Sequence, residues 1–352
     1  MQTSTGSVLN QFTKTYVKMK MKFLILLFLI GTSGVSMAQV AAFPKEITVA
    51  ADGSGDFKCI QEAINSVRDL GQERIRIYIR KGTYPEKLVI PSWKTNISLV
   101  GEDRDLTVIS NADFSGKPYP GGRDETGRDK FGTFNSYTVL VQGNDVVLEN
   151  LTIANTAGPV GQAVALHAEG DRFVAKNCKM LGYQDTLYAT KAQSRQFYLN
   201  CYIEGTTDFI FGQATAFFLH CTIHSLSSSY ITAASTTANQ KYGFVFQDCR
   251  LTAAEKATKV YLGRPWRPYA KTVFLNCDLG GHITAEGWNP WKGDAMFPDK
   301  EKTAYYAEFG NRGEGAGTKS RVAWSHRLTA SQAKLYTLKN VLGGQDNWKP
   351  LN

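Results

Sequence analysis

Histidine is scarce, with five residues in 352, and no G-x-S-x-G segment occurs, which excludes the serine-nucleophile turn of an ordinary esterase. His220 and His224 are four residues apart, but in strand-and-turn surroundings that spacing builds no metal site; His167, His282 and His326 stand alone. Six cysteines include no C-x-x-C pair, so zinc is unsupported. The apolar run Phe23 to Ile30 has eight residues, far short of the roughly 20 that a membrane-spanning helix needs. No cofactor and no metal are expected.

What is present points outward from the cell. Met19-Lys20-Met21-Lys22 precedes that run, and small residues ending Ser36-Met37-Ala38 follow it, the pattern of a signal peptide cleaved after Ala38. Two segments follow, a leader over 1–38 and one domain over 39–352, exported to the periplasm or the outside medium without a membrane anchor. Removing Lys14, Lys18, Lys20 and Lys22 lowers the formal net charge from +9 to +5. A basic mature chain attracts acidic polymers. Of nucleic acid, an anionic membrane and an acidic polysaccharide, export makes nucleic acid the weakest.

Five of the six cysteines share one local frame. It reads Asn177-Cys178-Lys179-Met180, Asn200-Cys201-Tyr202-Ile203, His220-Cys221-Thr222-Ile223, Asp248-Cys249-Arg250-Leu251 and Asn276-Cys277-Asp278-Leu279. Asn150-Leu151-Thr152-Ile153 repeats it without Cys, and successive steps are 27, 23, 20, 28 and 28 residues. A loose period in the twenties marks a solenoid. Short alternating stretches such as Arg195-Gln196-Phe197-Tyr198-Leu199 and Gly243-Phe244-Val245-Phe246 make the units β-strands. The expected fold is all-β: a single-stranded right-handed parallel β-helix with short capping helices at the ends. The cysteines then stack reduced, as small apolar residues in its interior.

Apolar residues Phe57, Ile60, Ala63, Ile64, Val67 and Leu70 have helical spacing and predict an N-terminal cap. Thr329-Ala330-Ser331-Gln332 carries the capping-box pattern ahead of Leu335, Leu338 and Leu342, with Gly343-Gly344 as the stop. The Gly-, Pro- and charge-rich stretch Phe114 to Gly132 reads as a long surface loop.

Counted from the frame, Asp185 lies seven residues after Cys178 and Asp208 seven after Cys201. They should occupy equivalent places on adjacent turns, spaced by about 4.8 Å. The same offset gives Gly158 and Ser228 on the flanking turns, so this is a pair and not a column. Two close carboxyl groups do not both ionise cheaply, so one becomes a proton carrier while the other stays charged. The apolar run Phe209-Ile210-Phe211 argues against two idle turn residues, since a buried unused carboxylate is costly.

Five segments now assembled resemble the pectin methylesterase family, from about Ile47 to Pro350. They are Gly82-Thr83-Tyr84-Pro85-Glu86, Gln162-Ala163-Val164-Ala165-Leu166, Gln184-Asp185-Thr186-Leu187-Tyr188, Asp208-Phe209-Ile210-Phe211-Gly212 and Leu262-Gly263-Arg264-Pro265-Trp266. The resemblance implies that Asp208 is the nucleophile toward the methyl ester and Asp185 the proton donor. It further implies that Arg264 holds Asp208 ionised and that Gln162 and Gln184 face the oxyanion. Substrate contacts are implied at Thr138, Trp266, Phe134, Tyr188, Phe211 and Trp288, the last in Gly287-Trp288-Asn289-Pro290-Trp291. The implied partner is methyl-esterified polygalacturonate, and a monomer is expected.

Two rivals are weaker. A polygalacturonate lyase or glycoside hydrolase could use the same solenoid and two close carboxyl groups, but paired amides suit an ester oxyanion better and no calcium-type carboxylate cluster surrounds the pair. A non-catalytic carbohydrate-binding solenoid gives no reason for two acids, two amides and an arginine to converge.

Overall fold

Cysteine 178 and its equivalents sit where the chain turns a corner, and that corner explains the repeat. In the computed structural model, which describes residues 43–317 and 319–351, one coil runs through the strands Phe173–Lys176, Lys179–Leu181 and Leu187–Ala189 before the next begins at Arg195. Only Asn177 and Cys178 separate the first two strands. Asn150, Asn177, Asn200, His220, Asp248 and Asn276, each just ahead of the frame position, have φ between 51° and 54°. This left-handed conformation suits Asn and Asp, whose short polar side chains bond locally; Asn177 Nδ2 donates to Asn150 Oδ1 at 2.6 Å across one coil.

All named strand pairs are parallel, and the coils assemble sheets of eleven, eight and seven strands, in which each strand pairs with its equivalents on the neighbouring coils. This is the parallel β-helix that the period predicts. Its interior stacks like on like. The rings of Tyr198, Phe218, Phe246 and Phe274 lie one above another at 4.4–4.5 Å with interplanar angles of 7–10°. Each belongs to the coil of the cysteine three residues later. Cys178, Cys201, Cys221, Cys249 and Cys277 are buried and free, and Cys178 Sγ lies 3.4 Å from Leu148 O of the coil beneath. Burial pushes the Cys178 thiol up to about 12, so it stays neutral.

The N-terminal cap is the helix Ile60–Ser66, which buries Ile60, Ala63 and Ile64. It is shorter than the apolar spacing suggests: Val67 reaches the core in an extended conformation, and Leu70 is exposed. Near the other end Thr329 and Gln332 form the expected reciprocal box, Gln332 N donating to Thr329 Oγ1 at 3.3 Å and Thr329 N to Gln332 Oε1 at 2.8 Å. The helices there, Ala330–Ala333 and Leu338–Leu342, lie along a flank. Val341 and Leu342 pack on Phe197, Phe217, Val245 and Val273, the outward side chains of the eleven-stranded sheet. That apolar outer face needs a cover, whereas Leu335 remains exposed.

The stretch from Phe114 to Gly132 holds no regular element beyond one antiparallel bridge, Pro118 to Lys130. It is nonetheless anchored. Lys87 Nζ and Lys117 Nζ both donate to Asp113, at 2.7 and 2.8 Å, and Ser115 N donates to Gln162 O at 2.9 Å. The leader read over 1–38 lies outside the described residues, none of whose helices is long and apolar enough to cross a membrane.

Candidate active site

Strand register brings the two aspartates together. Leu187 pairs with Ile210 and Tyr188 with Phe211, a register that extends back to Asp185 beside Asp208. Both residues have positive φ, 66° and 50°, and stand at the entry to the seven-stranded sheet. Asp185 N donates to Thr207 O at 3.1 Å, and Asp208 N to Tyr230 O at 2.8 Å. The neighbour beyond Asp208 is therefore Tyr230 and not Ser228. The following turn holds two more residues between the frame position and the strand, since Ile210 pairs with Thr232. Ser228 Oγ instead accepts from Thr258 N and Lys259 N.

The same sheet presents an outward column of Leu140, His167, Tyr188, Phe211, Ala233 and Arg264. Ala233 is the small member. From the strand beyond it the Arg264 side chain reaches back to Asp208, Nε to Oδ1 at 2.9 Å and Nη2 to Oδ2 at 2.7 Å. The guanidinium also lies against two rings, its Cζ 3.9 Å from the centroid of Tyr230 and 3.6 Å from that of Trp291. Lys300, itself buried, places Nζ 4.4 Å from the Trp291 ring and pairs with Asp294 at 2.7 Å. A forked, charge-assisted pair held between aromatic faces leaves Arg264 little freedom.

The two carboxyl groups experience different surroundings. Both are buried, 7% exposed at Asp185 and 6% at Asp208, and burial raises both pKa values. At Asp208 the Arg264 fork opposes that rise, and the Lys300 charge adds to the opposition. Asp185 has no such bond. Burial and then the Asp208 charge carry it well above the ordinary carboxylate range. One group is thus desolvated beside a like charge, and the other is desolvated but paired with an arginine. Neither side chain bonds to a backbone N–H group among the described residues, so neither serves its turn.

Gln162 and Gln184 are bridged neighbours on successive coils. Gln162 is exposed and Gln184 half-buried, and neither amide group has a hydrogen-bond partner among the described residues. Both remain free to donate to an oxygen at the mouth of the site. An aromatic floor adjoins it: Tyr188 stacks on Phe211 at 4.4 Å and 7°, Phe134 on Tyr188 at 5.3 Å, and Trp266 meets Phe211 edge-on at 5.9 Å. Phe134 is 53% exposed, whereas Phe211 is buried under its neighbours.

Two expected contacts need correction. Trp288 is fully buried, packed on Phe274 and Tyr306. The cause is strand parity: Trp288 bridges to Gly263, whose strand alternates inward there and outward at Arg264. Trp291 of the same segment is the tryptophan at the site, turned back at φ 54°. Thr138 is also fully buried, and its hydroxyl donates to Ala154 O at 2.9 Å, closing a corner of the coil. Tyr230 and Lys300 carried no motif and escaped the sequence reading, while Trp291 lay inside a quoted segment. No cluster of three or more potential metal ligands occurs among the described residues.

A family model described as Pectinesterase matches residues 46–345. The chain is 37% identical over 322 residues to a probable pectinesterase/pectinesterase inhibitor of Arabidopsis thaliana, covering 89% of this chain and 56% of the relative. It spans little more than half the length of the curated relatives it matches. Among solved structures, the carrot pectin methylesterase superposes with a TM-score of 0.76 at 34% identity, covering 87% of this chain and 95% of that one. A pectin methylesterase in complex with a hexasaccharide gives 0.74 at 32% identity, covering 88% and 99%.

Proposed function

The chain belongs to the pectinesterase family, and from that membership we propose that it removes methyl esters from polygalacturonate, releasing methanol and leaving pectate. The observation that carries this reading is the unequal pair: two carboxyl groups on adjacent coils, only one of them forked to an arginine.

The reaction follows from that inequality. Asp208 attacks the ester carbonyl carbon, and the charge that develops on the carbonyl oxygen is met by the free amides of Gln162 and Gln184, a contribution of about 3 kcal/mol per donor in comparable sites. The bond to the methoxy oxygen breaks, and that oxygen leaves as methanol with the Asp185 proton. An acyl anhydride with Asp208 remains, beside Asp185 as a carboxylate. Asp185 then takes a proton from water, whose oxygen attacks the acyl carbon and expels Asp208. The galacturonic acid product ionises on release. Phe134, Tyr188, Phe211 and Trp266 offer the sugar faces a platform. Export from the leader at 1–38, a catalytic domain over 39–352 and action as a monomer belong to the same reading.

Methanol release from methylated polygalacturonate tests it, using the mature protein beside Asp208→Asn and Asp185→Asn. Each substitution should lower kcat by about 10³-fold or more. The rate should also fall on the acid side as Asp208 takes up a proton, and on the alkaline side as Asp185 loses its own. Full activity in Asp208→Asn, or shortened chains in place of methanol, would overturn the proposal.

A further inference from the structure

The eleven-stranded sheet carries a second cleft, on a different face of the coil from the two aspartates. Its register sets Arg195, Thr215, Gly243, Lys271 and Tyr305 in one row. Arg195 in that row is committed to Asp171 and Asp346. Lys271 is not: its Nζ donates to Gln240 O, and no carboxylate among the described residues pairs with it. Burial lowers its pKa, and no neighbouring acid offsets that. Gly243 beside it has no side chain, and a cavity of about 220 Å³ opens there over Val245 and Val273.

The walls of this cavity are tyrosines. Tyr336, between the helices Ala330–Ala333 and Leu338–Leu342, meets Tyr242 edge-on at 5.5 Å and 70°, and Tyr242 Oη donates to Leu335 O at 3.2 Å. Tyr305 stacks on His326 at 4.6 Å and 22°. Tyr305 and Tyr336 are half-buried, so part of each ring stays open to solvent. On the rim Lys241 is exposed, with Nζ 5.0 Å from the centroid of the Tyr242 ring and no carboxylate partner among the described residues. The rings are thus set before anything binds, which cuts the ordering cost of binding. Two cations without counter-ions beside such rings fit an anion that also has an apolar face, as an acidic sugar does. An inorganic anion has no use for the rings. The space is smaller than the roughly 300–1,000 Å³ of a drug-sized site and suits one sugar ring.

We infer that this cleft is a second, non-catalytic binding site for a uronate residue of the polymer, with Tyr305 and Tyr336 against the sugar and Lys241 and Lys271 on its carboxylate. The choice of ligand rests on the proposed function, which makes polygalacturonate the polymer at hand. A long chain that engages both faces holds the enzyme on the polymer and raises the local concentration of esters at Asp208.

Calorimetric titration of the mature protein with unmethylated trigalacturonate tests it, beside methanol release from a methylated galacturonate hexamer. The native protein should show two sites and the double variant Lys241→Gln/Lys271→Gln one. Lys271→Gln alone should weaken the second site about fivefold, the size of one partly exposed ion pair, and salt should weaken it further. Tyr336→Phe, which keeps the ring, should leave both sites in place. Methanol release from the hexamer should be the same in the double variant as in the native protein. Identical titrations of the native protein and the double variant would overturn the second site. So would equal binding there of the neutral galactose trimer, displacement by inorganic sulfate at the same concentration, or loss of hexamer turnover in the double variant. Absence of methanol from the hexamer with the native protein would instead overturn the esterase reading.

Discussion

The interior of the solenoid and the outer face of its seven-stranded sheet both arise by stacking residues from successive coils, but they do so to opposite ends. Inside, Tyr198, Phe218, Phe246 and Phe274 repeat one ring at one position, and each coil adds the same dispersion and burial as the last. Outside, the repeat breaks. Asp185 lies beside Asp208, Tyr230 follows, and Arg264 reaches back from two coils on to Asp208. Like on like stabilises when the side chain is apolar and is costly when it is a carboxyl group. Positions that repeat therefore hold the fold, and the one that puts acid on acid is the one proposed to carry chemistry.

That contrast can be broken at either face. The largest effect is expected inside: Phe246→Ala, in the middle of the ring stack, should cost about 3–5 kcal/mol of stability in denaturant titration, while kcat per folded molecule stays level. A loss of activity without a loss of stability would show that the two faces are not separable. Next comes Trp291→Leu, which frees the Arg264 guanidinium on one side. kcat should fall about tenfold, the worth of roughly one cation–π contact, with KM little changed. The acid limb of the pH–rate profile should move to higher pH, because a looser fork opposes protonation of Asp208 less. Trp291→Phe should restore most of the rate, and a purely structural tryptophan would leave the limb in place.

The smallest effect concerns stability at the outer face. Burial and the Asp208 charge raise the folded pKa of Asp185 above its unfolded value. Between those values the folded chain binds more protons than the unfolded one, so stability falls as pH rises through the window. Asp185→Asn should accordingly raise the melting temperature at pH 7 but not near pH 3, below the unfolded pKa. Equal melting temperatures at both pH values would mean that this carboxyl group imposes no strain on the fold.

Much of this was legible without coordinates. The Asn-Cys frame revealed the coil because a parallel register puts equivalent residues in equivalent environments. Asp185 and Asp208 were found by counting from it because their two turns have equal lengths. The counting failed one coil later, where the longer turn brings Tyr230 and not Ser228 into line. The resemblance, for its part, implied the wrong tryptophan at Trp288, because strand parity and not motif membership decides which one faces outward.

By itself the amino-acid sequence determined the repeat, the corner residues, the reduced cysteine column and the acidic pair, all of which depend on spacing along the chain. Only the tertiary structure decided how Arg264 reaches back to Asp208 and which rings grip it. Those follow from side chains meeting between positions 27 and 56 residues apart along the chain, where insertions of one or two residues shift the partner and no local pattern records the outcome.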